Sequence, residues 1–237
     1  MAEIEGLVRA LREGDYSAKF AAAEALRYLA WLTSANKVAI AEAGGIPLLV
    51  ELLRDGSAEA KRKAAVVLDN LTRGNAANKV AIAEAGGIPP LVELLRDGSA
   101  DAKEDAARVI GHLAFMDAAN KVAIDEAGGI PLLVELLRDG SANANAWAAH
   151  ALRFIADSND ASAVAIALTV GLEALVELAR RGSVTFENQG VVQFAGIPAK
   201  RKAALVVAAL LRGRVPVDAR SRADVQDVIR AVIGPYL

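Results

Sequence analysis

The chain has 237 residues and a formal charge of −2, from 27 basic and 29 acidic residues, so no global field draws it to nucleic acid or to an anionic membrane. It contains no cysteine, which excludes disulfides, thiolate nucleophiles and cysteine-bound zinc. Apolar residues make up 54% of the sequence but aromatic residues only 4%, so the core must consist of Ala, Leu, Val and Ile.

The beginning of the chain, MAEIEGLVRALREGD, carries acids where a secretory signal needs a basic start and an apolar centre. No run of eighteen apolar residues lacks charge, so no membrane-spanning helix is predicted. We therefore expect a soluble, unexported chain without membrane contact, located in the cytoplasm, with the nucleus as the alternative.

A period of 42 residues dominates the sequence. The segment NKVAIAEAGGIPLLVELLRDGS covers residues 36–57, returns at 78–99 with a single substitution, and returns again at 120–141. A weaker copy starts at Val164. Such a period predicts an array of identical units, each of which buries its apolar face only against its neighbours.

Each unit is predicted to contain three helices. In the first full unit, residues 36–43 form a short helix that Gly44 ends in the left-handed region. Pro47 opens a second helix, which runs to Gly56. Ser57 then caps a long third helix, because its hydroxyl can accept a hydrogen bond from the first turn.

The same register divides the whole chain without a linker. The sequence AKRKAA occurs at residues 60–65 and again at 199–204, thirteen residues out of register, which indicates an insertion at 184–196. An alternative division starts another unit at AGIP, residues 195–198, but leaves the preceding unit without its third helix. The predicted pieces are a half unit at 2–34, full units at 36–74, 78–116 and 120–158, a longer unit at 162–213 and a polar cap at 217–237.

Three helices in 42 residues, with AGGIP between the first two and DGS before the third, resemble the armadillo repeat over about nine tenths of the chain. HEAT repeats, with two helices per unit, are the near alternative, and the extra short helix argues against them. The resemblance implies an all-α, right-handed superhelical α-solenoid that forms a single armadillo-repeat domain over residues 1–237. It also implies a concave groove lined by the third helices.

The third helices differ between copies, whereas the first two helices hardly change. Constant positions such as Ala64 and Leu68 gather on one face at about 100° per residue, and they predict the core. The opposite face is centred on one position of the third helix, which we call the reference position. It is occupied by Tyr28, Asn70, His112 and Phe154.

This variable face is rich in aromatic, arginine and histidine side chains, which are enriched at binding hot spots. We expect them to point away from the core, into the groove that the resemblance implies. Peptide-binding armadillo proteins carry a ladder of Asn at the reference position, and here only Asn70 remains. This argues against a clamp on the peptide backbone and leaves recognition through side chains open. The predicted groove residues are Glu24, Tyr28, Trp31, Arg62, Val66, Asn70, Arg73, Glu104, Arg108, His112, Phe115, His150 and Phe154.

Motifs for chemistry do not occur in the sequence. A phosphate loop, GxSxG, HExxH and an aspartate-rich calcium loop are all missing, so we expect no catalytic residue, no cofactor and no metal. His112 and His150 lie on adjacent third helices, and their separation by one unit argues against a metal shared with Glu104.

The sequence therefore predicts a non-catalytic scaffold or adaptor that binds a protein or peptide in the groove. Arginines outnumber acids along that face, which favours a mildly acidic partner. One alternative is a structural module that self-associates into a homo-oligomer through its N-terminal end or the insertion. RNA binding by the same arginine and aromatic residues is the less favoured alternative.

Overall fold

The computed structural model describes residues 2–115 and 117–156, and this part of the chain is helical throughout. It contains eleven α-helices and no strand, which confirms the all-α fold class for the described residues. The helices are α1 (Ala2–Glu13), α2 (Tyr16–Leu32), α3 (Ser34–Glu42), α4 (Gly45–Asp55), α5 (Ala58–Thr72), α6 (Ala76–Glu84), α7 (Ile88–Asp97), α8 (Ala100–Ala114), α9 (Ala118–Glu126), α10 (Gly129–Asp139) and α11 (Ala142–Ala156).

Several sequence predictions lie outside the described residues. These are the insertion at 184–196, the alternative start at 195–198, the longer unit at 162–213 and the cap at 217–237. The superhelical handedness stays a prediction as well. Within the described residues, no helix is long and apolar enough to cross a membrane.

Helices α3 to α11 repeat one order three times: a short helix, a second helix and a long helix. The short helix begins two residues earlier than predicted, at Ser34 and not at Asn36. The helix begins earlier because a residue before it acts as an N-cap. This cap was not evident in the repeat pattern, because the capping residue differs between copies. Its side chain accepts a hydrogen bond from the backbone N–H three residues on, at 2.9 to 3.1 Å, and the capping residues are Thr33, Asn75 and Asp117.

The conserved asparagine of each short helix ties that helix to the preceding long helix. Its Nδ2 donates to the backbone oxygen seven residues earlier, at the end of the long helix, where helical carbonyls lack an internal partner. The donor–acceptor pairs are Asn36 to Leu29 at 2.9 Å, Asn78 to Leu71 at 3.1 Å and Asn120 to Leu113 at 3.0 Å.

The glycine and serine positions of the repeat have the predicted roles. Gly44 follows the first short helix with a φ of 78°, in the left-handed region that glycine adopts without steric cost. A Cβ on the next residue, Gly45, would lie 2.8 Å from Cγ2 of Ile40, so the second glycine is required by close packing. Gly56 ends α4, and Ser57 caps α5 by accepting from the N–H of Ala60 at 3.3 Å.

The long helices form the centre of the described structure. Helix α5 packs on α2 on one side and on α8 on the other, and α4 and α7 lie behind α5 and α8. The predicted core positions of α5, including Ala64, Ala65 and Leu68, are completely buried. The equivalent positions of α8, Ala106 and Ile110 among them, are buried to the same degree.

Replacing Leu68 by Ala tests this assignment of faces. Leu68 is fully buried between helices, so the substitution should lower the free energy of unfolding by about 2–5 kcal/mol through lost burial and a residual cavity. Chemical denaturation measures the change. A loss below about 0.5 kcal/mol would mean that the core face has been assigned to the wrong side of α5.

Candidate functional site

The predicted groove face of the long helices is accessible only in part. At the C-terminal ends of α2, α5 and α8, Trp31 is 67% exposed, Phe115 is 41% exposed and the Arg73 side chain is 45% exposed. We call these three residues the rim. Nearer the middle of the helices, Asn70 and Phe154 are each only 7% exposed.

The reference position faces the preceding long helix and not an open groove. Nδ2 of Asn70 donates to the backbone oxygen of Arg27 on α2 at 3.1 Å. One unit on, Nδ1 of His112 lies 3.1 Å from Oδ1 of Asp69 on α5. The prediction that Asn70 points into open space is therefore wrong, because its amide is used to join two units.

The predicted exposure of Phe154 in the groove is also not observed. Its ring packs edge-on against Phe115 on α8, with 4.8 Å between ring centroids, and against His150 at 4.7 Å. The expectation that Phe154 is an accessible anchor is wrong, because these contacts bury it. Tyr28 occupies the reference position of α2 and is 55% exposed, since no long helix precedes α2 among the described residues.

Asp69 is the most deeply buried carboxylate of the described residues, with 1% exposure. Its Oδ2 accepts from Nη2 of Arg73 at 2.6 Å and from Nε of Arg108 at 2.9 Å. Burial by itself would raise the pKa of Asp69, but the hydrogen bond from His112 and the charges of Arg108 and Arg73 lower the pKa to about 2. The carboxylate therefore stays ionised and holds both arginines.

Asp105 continues this network, and sequence reasoning missed it. It accepts from Nε of Arg62 on α5 at 3.1 Å and from Nη2 of Arg108 on its own helix. Burial raises the pKa of Asp105, because the two arginines offset only part of the cost of desolvation. A carboxylate three residues before an arginine on one helix was the available signal.

These ion pairs remove the basis for expecting an acidic partner from the number of arginines. Arg62 pairs with Asp101 and Asp105, and Arg108 pairs with Asp69 and Asp105, so both arginines serve the contact between α5 and α8. Their charges are already balanced within the protein. The excess of arginine along the helices is therefore no longer evidence for an acidic partner.

The remaining predicted residues have mixed roles. Glu24 accepts from Arg27 on its own helix and from Lys63 on α5, and these hydrogen bonds lower the pKa of Glu24. Glu104 accepts from the hydroxyl of Ser141 at 3.2 Å. Val66 is half-buried.

Two lysines beside the rim were not predicted as site residues. Nζ of Lys37 donates to the backbone oxygen of Arg73 at 2.7 Å, and Nζ of Lys79 lies 4.8 Å from the ring centroid of Phe115. Burial lowers the pKa of both lysines. Their recurrence at a spacing of 42 residues was the signal in the sequence, since each reaches the C-terminal end of the long helix of its own unit.

Aromatic rings fill the junction between α8 and α11. The His112 ring lies 5.6 Å from Trp147 and 6.4 Å from His150, between centroids, in edge-to-face geometry. The two histidines are therefore neighbours, and the argument that one unit of separation keeps them apart is wrong. Among the described residues, no group of three or more His, Cys, Asp or Glu is placed to hold a metal.

The stability of this junction should depend on pH through His150. Burial, followed by the nearby charges of His112, Arg153 and Lys79, lowers the pKa of His150 from 6.5 to about 3. A lowered histidine pKa means that the folded protein favours neutral imidazole. Its stabilising contribution is complete above pH 6.5 and is lost as the pH falls toward 3, by up to about 1.4 kcal/mol per pH unit.

The measurement is urea unfolding of the wild type and of His150→Phe between pH 7.5 and 4.5. We expect the wild type to lose more stability than the variant over this range, because phenylalanine keeps the ring packing without a titrating group. Parallel pH dependences in the two proteins would contradict the assignment.

Stacked units of a short, a second and a long helix, capped and joined in this way, define an α-helical repeat protein. A family model described as Armadillo/beta-catenin-like repeat matches residues 33–73 and 75–115, which begin at the observed caps of α3 and α6. These two stretches of the chain match the armadillo repeat, and the described helices have the armadillo-repeat fold.

Solved structures agree with this assignment. An engineered protein from a structural genomics consortium is 29% identical with a TM-score of 0.74, and the alignment covers 96% of this chain but 51% of that one, so this chain spans about half its length. Computationally designed armadillo repeat proteins for modular peptide recognition are 24% identical with a TM-score of 0.73, over 95% of this chain and 87% of theirs. No curated protein shows significant similarity to the sequence.

A third structure is a designed armadillo repeat protein in complex with the peptide (KR)4. It is 24% identical to this chain, with a TM-score of 0.70, and the alignment covers 97% of this chain and 99% of the designed protein. At this identity, the likeness shows the fold alone.

Proposed function

We propose that the protein is a non-catalytic scaffold that binds a segment of a partner protein along the rim. The observation that carries this proposal is the exposure of two large aromatic side chains, Trp31 and Phe115, on either side of Arg73. Large exposed apolar side chains that lie in register, here two units apart with Arg73 between them, favour a shared binding surface over isolated surface residues. Peptide recognition by designed proteins of the same fold adds support.

The partner segment is held by its side chains in this proposal. Asn70 donates to the backbone of Arg27 and is buried, so its amide is not placed to clamp a peptide backbone. Trp31 and Phe115 offer apolar contact area instead, and aromatic anchors of this kind carry most of the energy in many interfaces. The segment would then follow the C-terminal ends of the long helices.

An acidic side chain between the anchors fits the charge of the rim. Among the described residues, Lys37 and Lys79 form no ion pair, and burial lowers the pKa of both because no carboxylate fully compensates their charge. Arg73 adds a third positive group, only partly balanced because Asp69 also serves Arg108. A carboxylate placed there would recover part of the lost solvation.

RNA binding loses support from the same contacts. Its case rested on a stripe of available arginines, and Arg62 and Arg108 are engaged with buried or adjacent carboxylates. A surface that binds RNA would need free cations to replace the counterions of several phosphates. Lys37, Lys79 and Arg73 are three positive groups at or beside the rim, and three are too few for that purpose.

Selection from a random peptide library tests the proposal. Peptides enriched on the wild type should combine Asp or Glu with aromatic or large aliphatic residues. The variant Trp31→Ala, Arg73→Ala, Phe115→Ala should bind them about a hundredfold more weakly or worse, since each anchor contributes about 1–2 kcal/mol. Its helical content should remain, because none of the three side chains is buried and Asp69 keeps Arg108 as a partner when Arg73 is removed.

The matched control is Glu51→Ala with Glu93→Ala, on exposed positions of α4 and α7. It should leave the affinity for the same peptides unchanged. Equal binding by the rim variant and the wild type, or a library that yields no enriched peptide at all, would overturn the proposal.

A further inference from the structure

One face of α2 is exposed. The equivalent face is buried in α5 and in α8, where the preceding long helix covers it. In α5, Lys63 reaches Glu24 on α2, and Asn70 donates to Arg27 on α2. Val67 lies between these two positions at helical spacing and is completely buried.

Helix α8 repeats the arrangement against α5. Asp105 and His112 contact residues of α5, and Val109 between them is completely buried. This face of a long helix is therefore the surface through which one unit packs on the unit before it. In α2, no described helix covers it.

The residues of α2 in the same register form an apolar stripe. Ala21, Tyr28 and Leu32 are exposed and Ala25 is half-buried, and Tyr28 and Leu32 keep 55% and 44% of their surface accessible. Their spacing places them on one side of the helix. Ser17 extends the stripe toward the beginning of α2.

The order of sizes along this stripe is self-complementary. Small residues, Ser17 and Ala21, occupy the first half, and large residues, Tyr28 and Leu32, occupy the second half. When two copies of α2 lie antiparallel about a two-fold axis beside Ala25, each large side chain meets a small one: Tyr28 meets Ala21, and Leu32 meets Ser17. A two-fold interface requires this kind of match of one surface with itself.

The charges near the two-fold axis permit two copies of α2 to pack against each other. Glu24 is the carboxylate closest to the centre of the stripe, and two glutamates meeting across an axis would repel. Its oxygens are held by Arg27 at 2.9 Å and by Lys63 on α5 at 2.8 Å, which balances the charge and draws the carboxylate toward α5. Repulsion between the two glutamates therefore does not oppose the contact.

We propose that the protein forms a homodimer in which the α2 helices of two copies pack antiparallel, with Ala25 beside the two-fold axis. The dimer continues, between molecules, the packing of long helix on long helix that joins units within the chain. The Tyr28 ring contacts the rim residue Trp31, with 6.4 Å between ring centroids, so the two surfaces adjoin. The dimer is tested without peptide, and the rim is tested without Tyr28 substitutions, so the failure of either proposal can be told from failure of the other.

The absence of cysteine makes a cross-linking test clean. Ala25→Cys should form an intermolecular disulfide under mild oxidation, much faster than Glu93→Cys at an exposed position of α7. A mixture of Ala21→Cys and Tyr28→Cys chains should give the mixed disulfide, whereas Ala21→Cys alone should not cross-link. Thermal unfolding of the reduced variants checks that each one folds.

Sedimentation equilibrium of the unmodified full chain gives an independent readout. The mean mass should rise with concentration from 24.6 kDa toward twice that value, and Tyr28→Arg should weaken the association by about tenfold or more. A mass that stays at 24.6 kDa up to high concentration would overturn the proposal. Cross-linking of Ala25→Cys no faster than the control, or efficient cross-linking of Ala21→Cys with itself, would also overturn it.

Discussion

The structure depends on one constraint: each long helix must bury a side against the long helix of the preceding unit. Helix α5 packs on α2, and α8 packs on α5, through Val67 and Val109, neither of which is accessible to solvent. Packing of α4 on α5 and of α7 on α8 fills the core within each unit, but the contacts between long helices are the most extensive of those that join one unit to the next, and each unit contacts only its neighbours. The reference position lies beside this contact, which explains why Asn70 is buried while Trp31 and Phe115, further along their helices, are exposed.

The same constraint gives a physical reason for the variation among the long helices. Between α2 and α5, Glu24 pairs with Lys63. Between α5 and α8, Asp69 pairs with Arg108 and Asp105 pairs with Arg62. A buried carboxylate is tolerated only when such partners are present, and loss of one partner leaves a costly unpaired charge. Residues that differ between copies are therefore matched across junctions. Variation of this kind marks packing between units as well as surfaces open to a ligand.

Much of the fold follows from patterns that the sequence displays directly. The glycine that ends each short helix, the serine that caps α5, α8 and α11, and the apolar positions around Leu68 all follow the sequence pattern, because each depends on residues within one helix or turn. The start of α3 was predicted two residues late, since Thr33, Asn75 and Asp117 share a capping function without sharing an identity. A search for identical residues does not detect such a cap.

The candidate site was harder to predict, for a geometric reason. Helical periodicity places Asn70 and Phe154 opposite the innermost core positions, but it does not show which neighbouring helix covers them. Contacts such as Asp69 with Arg108 or Lys37 with the backbone of Arg73 join residues 36 to 39 positions apart. Spacing within a helix contains no information about such pairs. Packing of the short helix on the long helix within a unit brings Lys37 to Arg73, and stacking of units brings Arg108 to Asp69.

The most direct test of this account is to measure stability and binding together in Asn70→Ala. Asn70 is 7% exposed and donates to the backbone oxygen of Arg27, so its removal leaves a buried acceptor without its partner. We predict a loss of about 1–3 kcal/mol in the free energy of unfolding, with unchanged affinity for peptides selected on the wild type. Unchanged stability together with a large loss of peptide affinity would show that Asn70 faces the ligand, and would contradict the account.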